Sequence, residues 1–464
     1  MASPVSNYDE VTPSESILLT LRILVAGLLI ILTGIGLLAQ EKDSKLYFRF
    51  ELRQRLEACN GMNMKNYGDD GPGALGSLND ILLYQRIIAG VDYQPFGNLK
   101  FVFRIQDSRA FGWSLSHRFY PDLFKIRAIG TESPYYIMNP NEEYFEIGET
   151  YAEYTLHAVN LTIRAGRQNI KYGDSRIFAP ADWINTGRWT WDAVKMSYRH
   201  KGKFVDAFFG GTKTHDPLRL NIPYTESEFI GGGIYGHLEF EKELPVIEPF
   251  ILFKKEGTAD YIRDRDISRY WSGLRLYSNA QGGIVYDATA VKQWGSQDGK
   301  SIDAHAWAVK IGYRFGSLPA RPALYYRNTF ASGGSAAGIK IRSFDPAYGG
   351  NFSYNGRMNI MPWSNMRDNE IVLELTPWKA AYAEIALHHI GIPSPENTKL
   401  LGTMEVVSGN HFGNEIDIYL RYTLSDKWQL TSLFGYFHPG NLADINGLPP
   451  KSASLLSFQV LYTR

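Results

Sequence analysis

Between Leu46 and the end of the chain, stretches of about ten residues alternate apolar and polar side chains, and the connections between them alternate short and long. Ten residues is the length a tilted strand needs to cross a membrane, and period-2 alternation gives such a strand two unlike faces. We place strands near 46–57, 81–93, 99–106, 145–156, 161–168, 190–199, 204–210, 230–240, 247–254, 269–277, 283–291, 302–314, 323–330, 370–376, 381–389, 415–424, 428–437 and 453–463. After each even-numbered strand the connection is tight, as at Gln94 to Asn98, His200 to Lys203 and Ser425 to Lys427. After the odd-numbered strands it is mostly long, as at Ala58 to Asp80, Asn169 to Trp189 and Ala331 to Asn369. Sorting of this kind is expected of a transmembrane antiparallel β-barrel of about 18 strands, with short periplasmic turns and long extracellular loops. A multi-domain soluble β protein is the competing reading, and it gives no reason for the loops to sort.

The chemistry of single strands agrees. In Leu46 to Glu57, one face carries Leu46, Phe48, Phe50, Leu52 and Leu56, and the other Arg49, Glu51, Arg53, Arg55 and Glu57. A barrel in lipid turns the first face outward and the second to its lumen. The 14% aromatic content fits girdles at the two membrane interfaces. The last segment sends Leu456, Phe458, Val460 and Tyr462 outward, like the terminal strand by which such barrels are recognised for insertion.

The first forty residues read differently. Arg22 precedes the apolar run Ile23 to Leu38, which ends before Glu41, the outline of a secretory signal. We expect residues 1–40 to be a removed signal peptide or an N-terminal hydrophobic segment, and residues 41–464 to be the barrel. Asp9, Glu10 and Glu15 are the acids that favour the anchor reading. After Gln40 no run approaches the roughly 18 apolar residues of a membrane helix.

Enzyme signatures are missing: there is no phosphate loop, no His-Glu-x-x-His and no Gly-x-Ser-x-Gly. We expect no enzyme, no cofactor and no metal. His388 and His389 are strand neighbours and point to opposite faces, so they do not make an ion-binding pair. A net charge of +0 gives no case for nucleic acid, and the single cysteine, Cys59, makes no disulfide. Glu149 and Glu153 share a strand face, where lumenal charge balance explains them better than acid–base chemistry.

Taking the apolar face of each strand as outward leaves Arg49, Arg53, Arg86, Arg104, Arg164, Arg327 and Arg421 among the inward bases. They sit on many strands, so they would ring a pore. Charged rings select ions by sign, and arginine suits carboxylate and phosphate solutes. Arg167 falls outward by strict alternation, where mid-membrane lipid would cost it roughly 2–4 kcal/mol. A bulge at Gly166 would return it to the lumen.

Gly166-Arg-Gln168, Tyr172-Gly-Asp174, Trp183, Gly187-Arg188 and Trp191-Asp192 resemble the signature of the alginate-export family of outer-membrane porins. Phe48 to Arg55, Arg86 followed by Gly90-Val91, Gly413 to Tyr422 and Gly435 to Gly440 fit the same family. The resemblance implies a bacterial outer-membrane location and an eighteen-stranded barrel whose arginine-rich constriction passes a polyanionic polysaccharide outward. It also implies gating by external loops and a periplasmic turn, and leaves room for periplasmic export partners. Arg49, Arg53, Arg86, Arg164, Arg167 and Arg188 sit in matching motifs and become the constriction candidates. Asp174, Asp182 and Asp192 become the acids that fix or oppose them. Lys171 to Arg188 is expected as an external loop, with Asp174 and Arg188 near the outer mouth. A weakly selective porin, or a barrel serving as a surface-binding protein or enzyme, are the alternatives.

Overall fold

The computed structural model describes residues 44–62, 79–112, 127–129, 133–135, 141–180, 182–217, 219–241, 244–258, 266–278, 280, 282–336, 340–349, 355–395, 398–400, 404–444 and 452–464. The expected signal segment lies outside the described residues. Eighteen antiparallel strands form one closed barrel. They are β1 (Lys45–Asn60), β2 (Asn79–Phe96), β3 (Leu99–Phe111), β4 (Glu143–Leu156), β5 (Leu161–Asn169) and β6 (Thr190–His200). Then come β7 (Lys203–Thr212), β8 (Phe229–His237), β9 (Val246–Glu256), β10 (Ile267–Tyr277), β11 (Gly283–Gln297) and β12 (Lys300–Arg314). The circuit ends with β13 (Ala323–Ala331), β14 (Met366–Leu375), β15 (Ala381–Gly391), β16 (His411–Thr423), β17 (Trp428–Pro439) and β18 (Ala453–Thr463). Every expected strand is present, several of them a few residues longer at their outer ends.

Each strand pairs with its sequence neighbour, and β18 returns to β1, from Glu51 opposite Thr463 to Asn60 opposite Ser454. Closure leaves no open sheet edge, which a membrane interior would not tolerate. The side-chain period then does the sorting. Phe48 is 68% exposed and Ile284 65%, whereas Arg53 and Glu370 are buried, the reverse of a soluble core. Aromatic side chains ring both ends of the outer face. Trp428 packs on Tyr462 at the short-turn end, and Trp307 stacks on Phe330 at the other.

The tightest turns have a local cause. Lys201-Gly202 and Asp298-Gly299 each take positive φ at both residues, as a type I′ hairpin requires to match strand twist. The first closes the short-turn end. The second joins β11 to β12 at the long-loop end, the exception to the alternation.

Candidate pore and the loops within it

Two long connections fold into the barrel. Residues 170–189 follow β5 and enter on the β6–β9 side. Tyr172 stacks on Tyr235 at 4.3 Å between centroids, and its hydroxyl donates to Asp206 Oδ2 at 2.7 Å. A Cβ on Gly173 would lie 3.3 Å from Glu248 Oε2 and 3.4 Å from Arg275 Nη1, side chains close to the short-turn end of β9 and β10. Asp174 therefore sits deep in the lumen. The expectation that it lies at the outer mouth is corrected: apolar and aromatic side chains at Ile170, Tyr172, Ile177 and Phe178 draw the loop inward, where it buries them. Burial alone would raise the Asp174 carboxyl, but Arg176 and Arg275 outweigh this and hold it below the usual carboxylate range.

The same loop then crosses to the opposite wall. Arg53 donates to the carbonyls of Asp182 and Ile184 and to Asn185 Oδ1, the last two at 3.2 and 3.1 Å. Arg55 donates to the Trp183 carbonyl and lies 4.3 Å from its ring centre, and Arg86 reaches the Asp182 carbonyl at 3.4 Å. Asn185 donates to the carbonyls of Gln85, Arg109 and Asn141. Arg53 and Arg86 thus clamp a loop. Asp182 takes part through its backbone, while its carboxylate is 64% exposed and 3.9 Å from Lys171 Nζ. Arg55 had been read as inward and no more. The clamp was hidden because its acceptors are carbonyls, which carry no sequence signal.

Residues 332–336, 340–349 and 355–365 belong to the second insertion. Tyr348 is fully buried against Phe178 and Trp191, and its hydroxyl donates to the Phe253 carbonyl. Asp345 lies 3.3 Å from Lys254 Nζ and 3.6 Å from Arg269 Nη1. Burial would raise its carboxyl, but these two cations hold it below the usual range. Further on, Arg357 binds Glu384 Oε1 at 2.8 Å and Met358 N donates to Glu415 Oε1 at 3.0 Å. Asp345 and Arg357 lie in a loop, which has no period to reveal its facing, and Lys254 on β9 has no sequence signal for the loop acid it meets.

Together the loops fill the lumen along β6–β16 and reach across it to the clamp on β1 and β2. An open cavity of about 520 Å³ is left along β1–β4, and Arg49, Arg104 and Lys213 line it with Glu51 and Glu149. It extends to Asp426, Lys427 and Arg464 at the short-turn end. On this wall Asp92 alone serves Arg49 at 3.3 Å, Lys100 at 3.4 Å and Arg104. The Arg49 side chain is 52% exposed. Arg164 is held by Glu153 Oε2 at 2.7 Å through Nε and lies 4.3 Å from the Tyr151 ring centre. Arg421 is exposed near the short-turn end, 5.1 Å from the ring centre of Tyr382. Arg188 pairs with Glu228 Oε1 at 2.9 Å beside Trp189.

Arg167 answers to a different need. The β5–β6 register runs unbroken from Leu161 opposite Tyr198 to Asn169 opposite Thr190, so Gly166 makes no bulge in that pairing. Gly166 instead takes φ +129°, and a Cβ there would meet the Thr150 carbonyl. Arg167 keeps the parity of Ile163 and Ala165 and is completely buried. It binds both Asp192 oxygens, at 2.7 and 2.8 Å, and donates to the carbonyls of Ile147 and Asn221. Pairing of β4 with β5 ends at Thr150 opposite Arg167, so the guanidinium fastens the point where those strands part. With no exposed surface, neither Arg167 nor its partner Asp192 can touch a passing solute.

Across the lumen the balance inverts. Arg327 lies 3.0 Å from Glu370, 3.7 Å from Glu384 and 3.9 Å from Glu374. His388 faces inward among these acids, while His389 faces out, 2.9 Å from Asn414 Oδ1.

A closed eighteen-stranded barrel with an apolar belt, aromatic girdles and a charged, loop-filled lumen is an outer-membrane porin. The chain matches the alginate export family over residues 46–211 and 252–446, and it belongs to that family. Its location is therefore the bacterial outer membrane, and the family and fold point to a non-enzymatic channel. Among solved structures it is similar to Acinetobacter baumannii OccAB2, with a TM-score of 0.57 at 11% identity over 90% of this chain and 98% of that one. Pseudomonas aeruginosa OccK2 (OpdF), solved in complex with glucuronate, gives a TM-score of 0.55 at 10% identity, covering 91% and 96%. OccK8 (OprE) of the same organism gives 0.55 at 11%, covering 91% and 98%. No curated protein matches the sequence.

Proposed function

We propose that this barrel passes anionic oligo- or polysaccharides, alginate-like chains among them, along the basic wall formed by β1–β5. The observation that carries the reading is unequal burial. Glu370, Glu384, Glu415 and Asp417 lie at 5% exposure or less, under or beside residues 355–361, whereas the Arg49 side chain is half exposed to the cavity. A formally neutral chain thereby presents a positive field where a solute would travel. Arg49, Arg104, Arg164 and Arg421 are the residues placed to meet carboxylates, with Lys100 beside them. Arg53, Arg86 and Arg188 act on the pore indirectly, by fixing the loop that bounds it. The uronate in the related OccK2 structure is of the same solute class. Export also calls for loop movement, since the described parts of the two inserted loops occupy the lumen, and periplasmic export proteins would be natural partners for the short-turn rim.

A weakly selective porin is the second reading, and one observation favours it: Asp92, Glu153 and Glu51 each hold bases of this wall. Single-channel conductance in a planar bilayer decides between them. The proposal expects anion preference and block by polyuronate, both reduced in R49A/R164A. Absent conductance or a preference for cations overturns it. Unchanged selectivity in the variant reduces those arginines to wall braces.

A further inference from the structure

Four inward side chains of β13–β16 stand opposite one another in a single row. Arg327 faces Glu370, Glu370 faces His388, and His388 faces Glu415. Asp368 and Asp417 flank this row on β14 and β16. The four acids and His388 are each 5% exposed or less. His388 Nδ1 lies 2.7 Å from Asp368 Oδ2 and 3.9 Å from Glu370 Oε1, and its Nε2 lies 3.5 Å from Asp417 Oδ2.

Charge and hydrogen bonding are both left unbalanced. Arg327 divides itself among three glutamates, and Arg357 spends its guanidinium on Glu384. Asp368 Oδ1, Glu370 Oε1, Glu415 Oε2 and Asp417 Oδ1 are buried with no hydrogen-bond partner. Native structures rarely leave such oxygens unmet, and a bound ion is one of the accepted explanations. Donor atoms of Asp368, Glu370 and His388 all fall within 4.8 Å of one another. Ligands on opposite sides of one ion, at roughly 2.0–2.6 Å each, are separated by about that distance.

We propose that Asp368, Glu370 and His388 bind a divalent cation, with Glu415 and Asp417 as further oxygen donors on the same wall. Carboxylates with a single imidazole and no thiolate suit manganese, whereas calcium takes oxygen ligands alone. The site would also act on the pore lining. Met358 N donates to Glu415 Oε1 and Arg357 N to Asp417 Oδ2, so the cation would tie residues 355–361 to the wall.

The test is equilibrium dialysis of the full barrel in detergent against manganese, calcium, magnesium and zinc separately, with bound metal counted by mass spectrometry. One ion per chain is expected for manganese, falling at least tenfold in affinity in D368N/E370Q. Folding of that variant is checked by heat-dependent gel mobility. If it does not fold, H388Q takes its place, with the same loss expected. Failure of the folded wild type to retain any of the four ions at millimolar concentration overturns the proposal, as does unchanged binding in a folded variant. Protons would then be what balances the carboxylates.

Discussion

Asp92 and Arg327 are opposites in charge and alike in geometry. On the β1–β3 wall one carboxylate serves three cations, and on the β13–β15 wall one guanidinium serves three carboxylates. They differ in what covers them. Arg327 and its glutamates lie beneath an inserted loop, while the bases gathered by Asp92 border the open cavity. Two stretches of wall with mirrored charge therefore do different work. A hub with buried partners holds structure, and one with wetted partners sets the field. Composition cannot separate them, because a charge counts the same in either place.

Removing each hub should expose the difference. R327A takes the arginine from Glu370 in a dry site, leaving Glu384 to Arg357 and Glu374 to Arg314, and breaking a buried pair costs about 3–5 kcal/mol. Its thermal unfolding, read by heat-dependent gel mobility, is expected to fall well below that of the wild type with little change in ion selectivity. Next in size is R53A, which removes charge-assisted bonds to residues 182–185 worth about 1.5–3 kcal/mol each. The barrel should stay folded while loop 170–189 loosens, seen as a larger and noisier single-channel conductance. D92A should cost only about 1 kcal/mol, because two of its three cations are more than a third exposed. Its effect belongs to function: reversal potentials should shift toward stronger anion preference. A stability loss in D92A as large as that in R327A would erase the distinction.

The smallest effect is one of pH. Asp174 and Asp345 have folded-state pKa values held below the ordinary value of about 3.9, so each stabilises the inserted loops above that pH. The contribution fades only as pH falls through the depressed values. Conductance should hold steady from neutrality to about pH 4 and rise below it, and a rise already near pH 6 would contradict this assignment.

The strands could be read in advance because lipid enforces the period. Phe48, Phe50 and Leu52 must face one medium, and Arg49, Glu51 and Arg53 another. The loops could not. Tyr172 and Asp345 settle where they do because partners distant in sequence, Tyr235 and Lys254, await them. Arg167 shows the boundary between these cases. Alternation put it outward while the motif made it a constriction candidate, and its cover by Asn221 and Tyr224 turns the expected lipid penalty into a satisfied buried bond network. The Glu370–His388–Glu415 row was not read from the sequence, because only strand register shows that the three are opposite one another.

The seam between β18 and β1 carries a consequence for assembly. Glu51 must find Thr463, so the last strand made completes the first, and no earlier stage of synthesis can close the sheet. Pairing of such distant segments is slow, because loop-closure entropy is lost before many contacts return it. Until then the Asn60 and Ser454 ends of the seam expose unsatisfied backbone, a ready template for mispairing. Residues 454–463, which lock the seam, therefore decide when that exposure ends.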